Sequence, residues 1–588
     1  MPFSDEEWQE VLEEMPHSED AVIQKYLKGR EGLIAEEKKQ RTDYAFRQSL
    51  SPIARKACAI VERVRDDERR RIWTTGLEEK IASSGGASGG TGTTVYPGQM
   101  FSHAKELMET TTLWHIVQRL PKGTLLHAHN DAMVEFSYIF GVLLDTPGIH
   151  IRGPDGPLAT AEQRAGRVVR FRFLRQARPL VAGSNPSPWD ASYVANTPVL
   201  LTDAADAFPD GGRAGFVAWL KGRCTLSPAD STEQHHGVDH IWRRFQGCFD
   251  TLGSAIHYEP VWRAFLRRLM QQLLDDGLRW AEVRYMWGTD YCREGHEEPE
   301  TDYLHVFGTA EEEIARFQEA NPGFWGLRFI WTAYRPLPTR PLTESMDHCL
   351  STKLAYPALI AGFDLVGQED AGRPLRDCLP ELFWFRKQCA AEGVELPFFF
   401  HAGECLGDGD ATDTNLFDAV LLGTRRIGHG FSLYKHPLLV QLVRERRILL
   451  EVCPISNEVL RLCGSVLSHP MPALLARGVA CSLNNDDPAM LGQDAVGMTH
   501  DFWQALQGWQ NLGLAGLGSL AENSVRWACF EDQTAEAWQR DIQDASLGTG
   551  VKAKRLQEWR VEWEQFCLWV VTEYGEEGGE EKEESGRK

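Results

Sequence analysis

The sequence predicts an α/β chain folded as a (β/α)8 TIM barrel, with an N-terminal helical extension, an insertion after the first strand and C-terminal helices. Eight short apolar runs are the first observation behind this: 124–129 (TLLHAH), 281–287 (AEVRYMW), 326–333 (GLRFIWTA), 360–366 (IAGFDLV), 396–401 (LPFFFH), 426–431 (RIGHGF), 447–453 (RILLEVC) and 479–485 (VACSLNN). The second is that helical patterns separate most of them, as from Trp262 to Leu274 and from Leu438 to Arg446. Strands buried on both faces and alternating with helices make a parallel sheet, and eight such units close into a barrel. The third is length, since 588 residues exceed what one barrel needs and leave room for additions.

Those additions are read in chain order. Residues 1–81 form a helical N-terminal extension: Trp8, Val11, Leu12 and Met15 fall at helical spacing, and Ser51-Pro52 caps a helix that runs to about Trp73. These helices are expected to pack on the barrel or on another subunit, as a homodimer. Residues 82–98 (ASSGGASGGTGTTVYPG) read as a Gly/Ser-rich linker, because no Gly-Lys-Ser or Gly-Lys-Thr follows to make a phosphate loop. The barrel itself spans 99–545, interrupted at about 148–256 by an excursion too long for a βα loop, which would cap the site, bind a partner or elaborate the surface. A C-terminal helix at 546–573 carries Leu556, Trp559, Trp563, Phe566 and Val570 along one face, a pattern of core packing. The acidic stretch 574–588 reads as a disordered tail.

A net charge of −22 argues against nucleic acid as a partner, since such binding draws on Lys and Arg to neutralise phosphates. No apolar run is long enough to span a bilayer, so no membrane association is expected. The first residues lack a basic segment followed by an apolar one, no Asn-x-Ser/Thr acceptor with x other than Pro occurs, and the 13 cysteines show no CxxC spacing. Reduced thiols and a cytoplasmic location are therefore expected.

The barrel strands end on chemistry. His127 and His129 are two apart in the first run, so period-2 geometry turns both imidazoles to one side. His401 ends the fifth run with Glu404 just beyond it, and Asp486 follows the eighth. In such barrels the C-terminal strand ends converge on one site. Three neutral imidazoles and one carboxylate suit zinc, with room for a water whose pKa the ion would lower. Displacing an aromatic amine further needs an acid near the ring nitrogen and a base near the water, for which Glu404 and His429 are the candidates.

The segments HAHND (127–131), DLVGQED (364–370), FHAGE (400–404), IGHG (427–430) and SLNNDDP (482–488) resemble the signature motifs of the adenosine deaminase superfamily. PKGTLLHAH, GFDLVGQED and EVCPISNEVL resemble most its adenosine deaminase growth factor branch, and the likeness covers about residues 96–530. The resemblance implies zinc-dependent hydrolytic deamination of adenosine, and of 2′-deoxyadenosine, to inosine and ammonia, with one zinc per chain. It implies that His127, His129, His401 and Asp486 ligate the zinc, that Glu404 protonates purine N1 and that His429 positions and deprotonates the attacking water. It places Asp487 at N7, the backbone of Gly367 at N3 and Asp131 near the ribose 5′-hydroxyl, although Asn130, Asp131 and Ala132 stand where many members read LDG. The branch is commonly secreted and dimeric, which makes secretion the alternative location.

Other readings are a deaminase of AMP, of an N6-substituted purine or of adenine, and, from another class, a catalytically idle barrel that binds a partner or signals. Asp131 would repel a 5′-phosphate about 4 Å away by roughly 1–4 kcal/mol, which favours a purine nucleoside. An idle barrel would be expected to have lost a ligand or the acid, and here every one of those residues stands in place. A metal-dependent hydrolase of another substrate class on the same barrel is disfavoured by SLNNDDP together with DLVGQED.

Overall fold

In the computed structural model, which describes residues 2–73, 96–180, 186–232, 237–288 and 290–575, each of the eight apolar runs supplies a barrel strand. In chain order the strands are β1 (Gly123–Leu125), β2 (Ile149–Arg152), β3 (Arg170–Phe173), β4 (Val199–Leu200), β5 (Leu278–Tyr285), β6 (Gly326–Tyr334), β7 (Ile360–Val366), β8 (His401–Ala402), β9 (Arg426–His429), β10 (Leu449–Val452) and β11 (Cys481–Leu483). Most of the expected linker, most of the acidic tail and the adjacent pair His235 and His236, which the sequence suggests are surface residues and not a second metal site, lie outside the described residues.

The barrel is two parallel half-sheets, ordered β1-β5-β6-β7 and β11-β10-β9-β8. They meet at two seams, each made by a single bridge. At one, Phe363 pairs with Phe398; at the other, Ala128 pairs with Asp486, whose N–H donates to the His127 carbonyl and whose carbonyl accepts from the His129 N–H. Helices return the chain between strands, among them Glu259–Asp275, Leu304–Ala320, Thr339–Ala355, Leu379–Ala391, Asn415–Leu421 and Pro437–Glu445. The strands are buried along nearly their whole length, as expected of a sheet covered on both faces.

β1 and β8 are shorter than their apolar runs. The chain leaves the ladder after Leu125, because the Asn484 side-chain oxygen takes up the N–H groups of both Leu126 and His127 at 3.0 Å. His127 and His129 therefore sit on a seam and not within a regular strand.

Ser51 caps the helix Pro52–Glu68 by accepting from the Ala54 N–H, and this helix lies against the C-terminal helix Val551–Tyr574. Leu556, Trp559, Trp563, Phe566 and Val570 are buried there, with Trp559 donating to the Pro121 carbonyl at 2.9 Å. The helices Asp5–Glu14 and Ala21–Lys39 differ, since neither buries a residue. Between β1 and the helix Glu259–Asp275 the excursion folds around an antiparallel sheet ordered β3-β2-β4 with helices beside it. All 13 cysteines are unpaired thiols, 11 of them buried. No described helix is long and apolar enough to cross a membrane.

Candidate active site

The C-terminal ends of β1, β8, β9 and β11 bring four residues together: ligand atoms of His127, His401, His429 and Asp486 all lie within 4.8 Å of one another, and all four are buried. His129 joins Asp486 and Asp487 in an overlapping group. The compact four thus contain His429, expected as the base, while His129, expected as a ligand, stands at the edge of the same centre. The individual atoms separate the two. His127 Nε2 and His129 Nε2 approach one Asp486 oxygen, Oδ1, at 3.2 and 3.3 Å, whereas His429 Nε2 faces the other, Oδ2, at 3.8 Å.

His127 and His401 are oriented from behind. His127 Nδ1 lies 2.9 Å from Glu451 Oε2, and His401 Nδ1 lies 2.6 Å from Asp364 Oδ2. Each carboxylate holds the Nδ1 proton and leaves the Nε2 lone pair facing the centre. Arg284 ties both supports together, with Nε at 2.8 Å from Asp364 and Nη2 at 2.7 Å from Glu451. Arg426 carries the charge network onward from Glu451 to Glu282. Sequence reasoning gave no role to Arg284, Asp364 and Glu451; a charged residue inside an otherwise apolar strand signals a buried polar partner but does not say which.

Burial sets the protonation states. It lowers the His401 imidazole to about 3, and lowers His129 and, much further, His429, so all three are neutral bases at pH 7. The Glu404 carboxyl is pushed well above its ordinary range by burial, with the charges of Asp486 and Glu369 adding to the effect. Asp487 is raised well above its range for the same first reason, with Asp486 beside it. Burial thus favours the protonated form of two carboxyls next to Asp486, which its imidazole neighbours hold ionised.

Glu404 Oε1 lies 3.5 Å from His429 Nδ1, and the Glu404 N–H donates to Glu369 at 2.9 Å. Asn457 Nδ2 stands 3.4 Å from His429 Nδ1, and its Oδ1 meets His469 Nε2 at 3.0 Å; neither residue was expected. Gly367 follows β7 at φ +102°, where a Cβ would come within 2.6 Å of the Tyr334 ring. Asp131 sits on the short turn Asn130–Ala132 and is not part of the imidazole cluster. His429 and Asp486 both adopt left-handed backbone, at φ 60° and 57°, a cost of the kind found where a site dictates side-chain direction.

A metal ion fits these residues. With His127 Nδ1–H turned to Glu451, its Nε2 lone pair points at a carboxylate oxygen 3.2 Å away, and two such lone pairs repel unless a cation lies between them. His127 Nε2, His429 Nε2 and Asp486 Oδ1 are likewise buried with no hydrogen-bond partner among the described residues.

A family model for adenosine deaminase matches residues 227–545. Adenosine deaminase 2 of Sus scrofa is 31% identical over 464 residues, 77% of this chain and 85% of that protein. Adenosine deaminase 2 of Homo sapiens is 29% identical over 484 residues, 82% of this chain and 85% of that one. Among solved structures, an amidohydrolase from Burkhoderia ambifaria with bound Zn superposes with a TM-score of 0.48 at 15% identity, covering 78% of this chain and 95% of that one.

Proposed function

The chain belongs to the adenosine deaminase family, and from that premise we propose that it catalyses the zinc-dependent hydrolytic deamination of adenosine, and of 2′-deoxyadenosine, to inosine and ammonia. The observation that carries this reading is the convergence of the His127 and His129 Nε2 atoms on one Asp486 oxygen, with the buried Glu404 3.5 Å from His429 Nδ1 in the same centre.

His127, His129, His401 and Asp486 are the residues that would hold one zinc per chain, and the donor set of imidazoles and a carboxylate suits that ion. When bound, the ion supplies a Lewis acid that makes hydroxide available near neutral pH. The rest of the reaction falls to the chain's own groups. His429, kept neutral by burial, accepts the proton of the attacking water. Glu404, kept protonated by burial, delivers a proton to purine N1 as C6 takes the nucleophile, so that the ring does not carry the developing charge. Asp487 is a hydrogen-bond donor in the same state, as the lone pair of N7 requires. The backbone of Gly367 meets N3, and Asp131 receives the 5′-hydroxyl. Buried walls keep bulk water from these transfers.

The division into extension (1–81), linker (82–98), barrel (99–545) with its insertion (148–256), C-terminal helix (546–573) and tail (574–588) belongs to the same reading. Homodimerisation through the N-terminal helices is supported by the exposed Trp8, Leu12, Met15, Val22, Tyr26 and Leu33. The 11 buried thiols favour a reducing compartment, the cytoplasm, over secretion.

An ultraviolet assay of purified, zinc-analysed protein against adenosine, deoxyadenosine, AMP and adenine tests the proposal. Turnover of the two nucleosides that falls about 10²–10⁴-fold in Glu404→Gln supports it. Activity confined to AMP or adenine replaces the substrate, and zinc-loaded protein silent on all four brings forward the idle partner-binding barrel.

A further inference from the structure

Beside the imidazole centre lies a second polar cluster that the reaction above leaves unused. His257 stands where the insertion rejoins the barrel, two residues before the helix Glu259–Asp275. Its Nδ1 lies 2.6 Å from an Asp290 carboxylate oxygen, and its Nε2 lies 3.2 Å from the Tyr285 hydroxyl. Tyr285 is the last residue of β5 and follows Arg284, which bridges to His129; the same strand packs against the turn Asn130–Ala132 that carries Asp131. Asp131 and His257 each feel the other's charge.

The cluster is held firmly. The His257 carbonyl accepts from the Cys292 N–H at 2.8 Å, and the Cys292 carbonyl accepts from the Glu259 N–H at 3.0 Å, so the loop after β5 is zipped to the end of the insertion. Tyr258 stacks on Phe173 of β3, with ring centroids 4.7 Å apart, and Tyr285 stacks on Trp262. The imidazole of His257 is thereby fixed between the Asp290 carboxylate, which approaches Nδ1 as an ion-pair partner, and the Tyr285 phenol, which is hydrogen-bonded to Nε2.

We infer that His257, Asp290 and Tyr285 complete, with Asp131, a subsite that selects an unphosphorylated sugar end, a ribosyl or deoxyribosyl group whose terminal oxygen is a hydroxyl. The inference rests on the functional reading above, which puts the 5′-hydroxyl at Asp131. With His257 Nε2–H donating to the phenol oxygen, the Tyr285 proton is free, so a sugar hydroxyl can give its own proton to the Asp131 carboxylate and receive one from the phenol. A phosphate donates nothing at neutral pH and meets two carboxylates against one imidazole, a balance that repels it. His257 is a positioning residue: it holds Asp131 by charge and sets the direction of the Tyr285 hydroxyl by hydrogen bond.

The test compares kcat and KM for adenosine, 5′-deoxyadenosine and AMP in the full-length zinc protein and in its His257→Phe, His257→Gln, Tyr285→Phe and Asp290→Asn variants. His257→Phe should raise KM for adenosine about tenfold, the size of one hydrogen bond to a charged group, with kcat nearly unchanged. It should leave 5′-deoxyadenosine unaffected, because the group that the subsite reads is already missing, and His257→Gln should restore part of the loss. Asp290 is half exposed, so Asp290→Asn carries the test if His257→Phe does not fold. Adenosine and 5′-deoxyadenosine weakening in parallel would mark a purely structural cluster and overturn the inference, as would wild-type protein that turns over AMP as readily as adenosine. Either result leaves nucleoside deamination standing; wild-type protein that deaminates no purine overturns both.

Discussion

Arg284 Nη2 lies 2.7 Å from Glu451 Oε2, the same oxygen that sits 2.9 Å from His127 Nδ1. One guanidinium therefore steadies the carboxylate that aims one imidazole, and through Asp364 the carboxylate that aims another. Glu451→Gln keeps the size of the side chain but removes the charge that fixes the His127 tautomer. Zinc affinity, measured by competition with a chelating dye, should fall about 10–100-fold while the fold is retained.

The same network predicts an acid limb. Burial alone would raise Asp364 and Glu451, but the His401 Nδ1–H and the Arg284 guanidinium beside the first, and the Arg284 and Arg426 guanidiniums beside the second, hold both well below the carboxylate range. The native state then binds fewer protons than the unfolded chain, whose carboxyls titrate near about 4. The stability these groups contribute is complete above that pH and is lost as pH falls through their native values. Arg284→Met should cost about 3–5 kcal/mol at pH 7, because it strands two buried carboxylates. The deficit relative to wild type should shrink as pH falls from 7 towards 4, because protonation relieves the stranded carboxyls of the variant before it costs the wild type anything, as read by denaturant midpoints across pH 3–7.

Gly428 leaves no room for a side chain. A Cβ there would meet the His127 ring carbon Cε1 at 2.8 Å and the His401 Cα at 3.3 Å, and neither the seam nor the strand can retreat. Gly428→Ala should displace His127 and lower both zinc content and kcat at least about tenfold, since misplacing a reacting group by about 1 Å can cost a hundredfold. An unchanged zinc affinity would show that the ring moves without penalty.

Asp486 is at φ 57°, a conformation that Asn tolerates and Ala does not. Without metal, Asp486→Asn should unfold at nearly the denaturant concentration of the wild-type apoprotein, whereas Asp486→Ala should be less stable by about 1–2 kcal/mol. Neither variant should retain stoichiometric zinc.

The barrel was legible because β5, β6 and β7 are buried on both faces and so read as unbroken apolar runs, with no alternation to confuse them with surface strands. The site residues were legible as polar endings on those runs. Asp364 and Glu451 were not, because inside a strand a carboxylate announces burial but not its partner, and their partner Arg284 lies about eighty residues from one and far more from the other. The seam position of His127 was also hidden, since it depends on Asn484 capturing two N–H groups from across the barrel. His257 gave no signal in a segment read only as an insertion end.

Asp486 closes the ring with its backbone and faces the imidazoles with its side chain. During synthesis, a chain that has emerged only as far as β10 already carries His127, His129 and His401 but has neither the last strand nor the carboxylate between them. Such a nascent chain lacks the acidic ligand and the strand that brings the two seam histidines into register, so metal uptake and ring closure become one late event. A ribosome-bound fragment ending before residue 486 should take up no zinc in the native geometry, and release of a few more residues together with the terminal helices should switch both on at once.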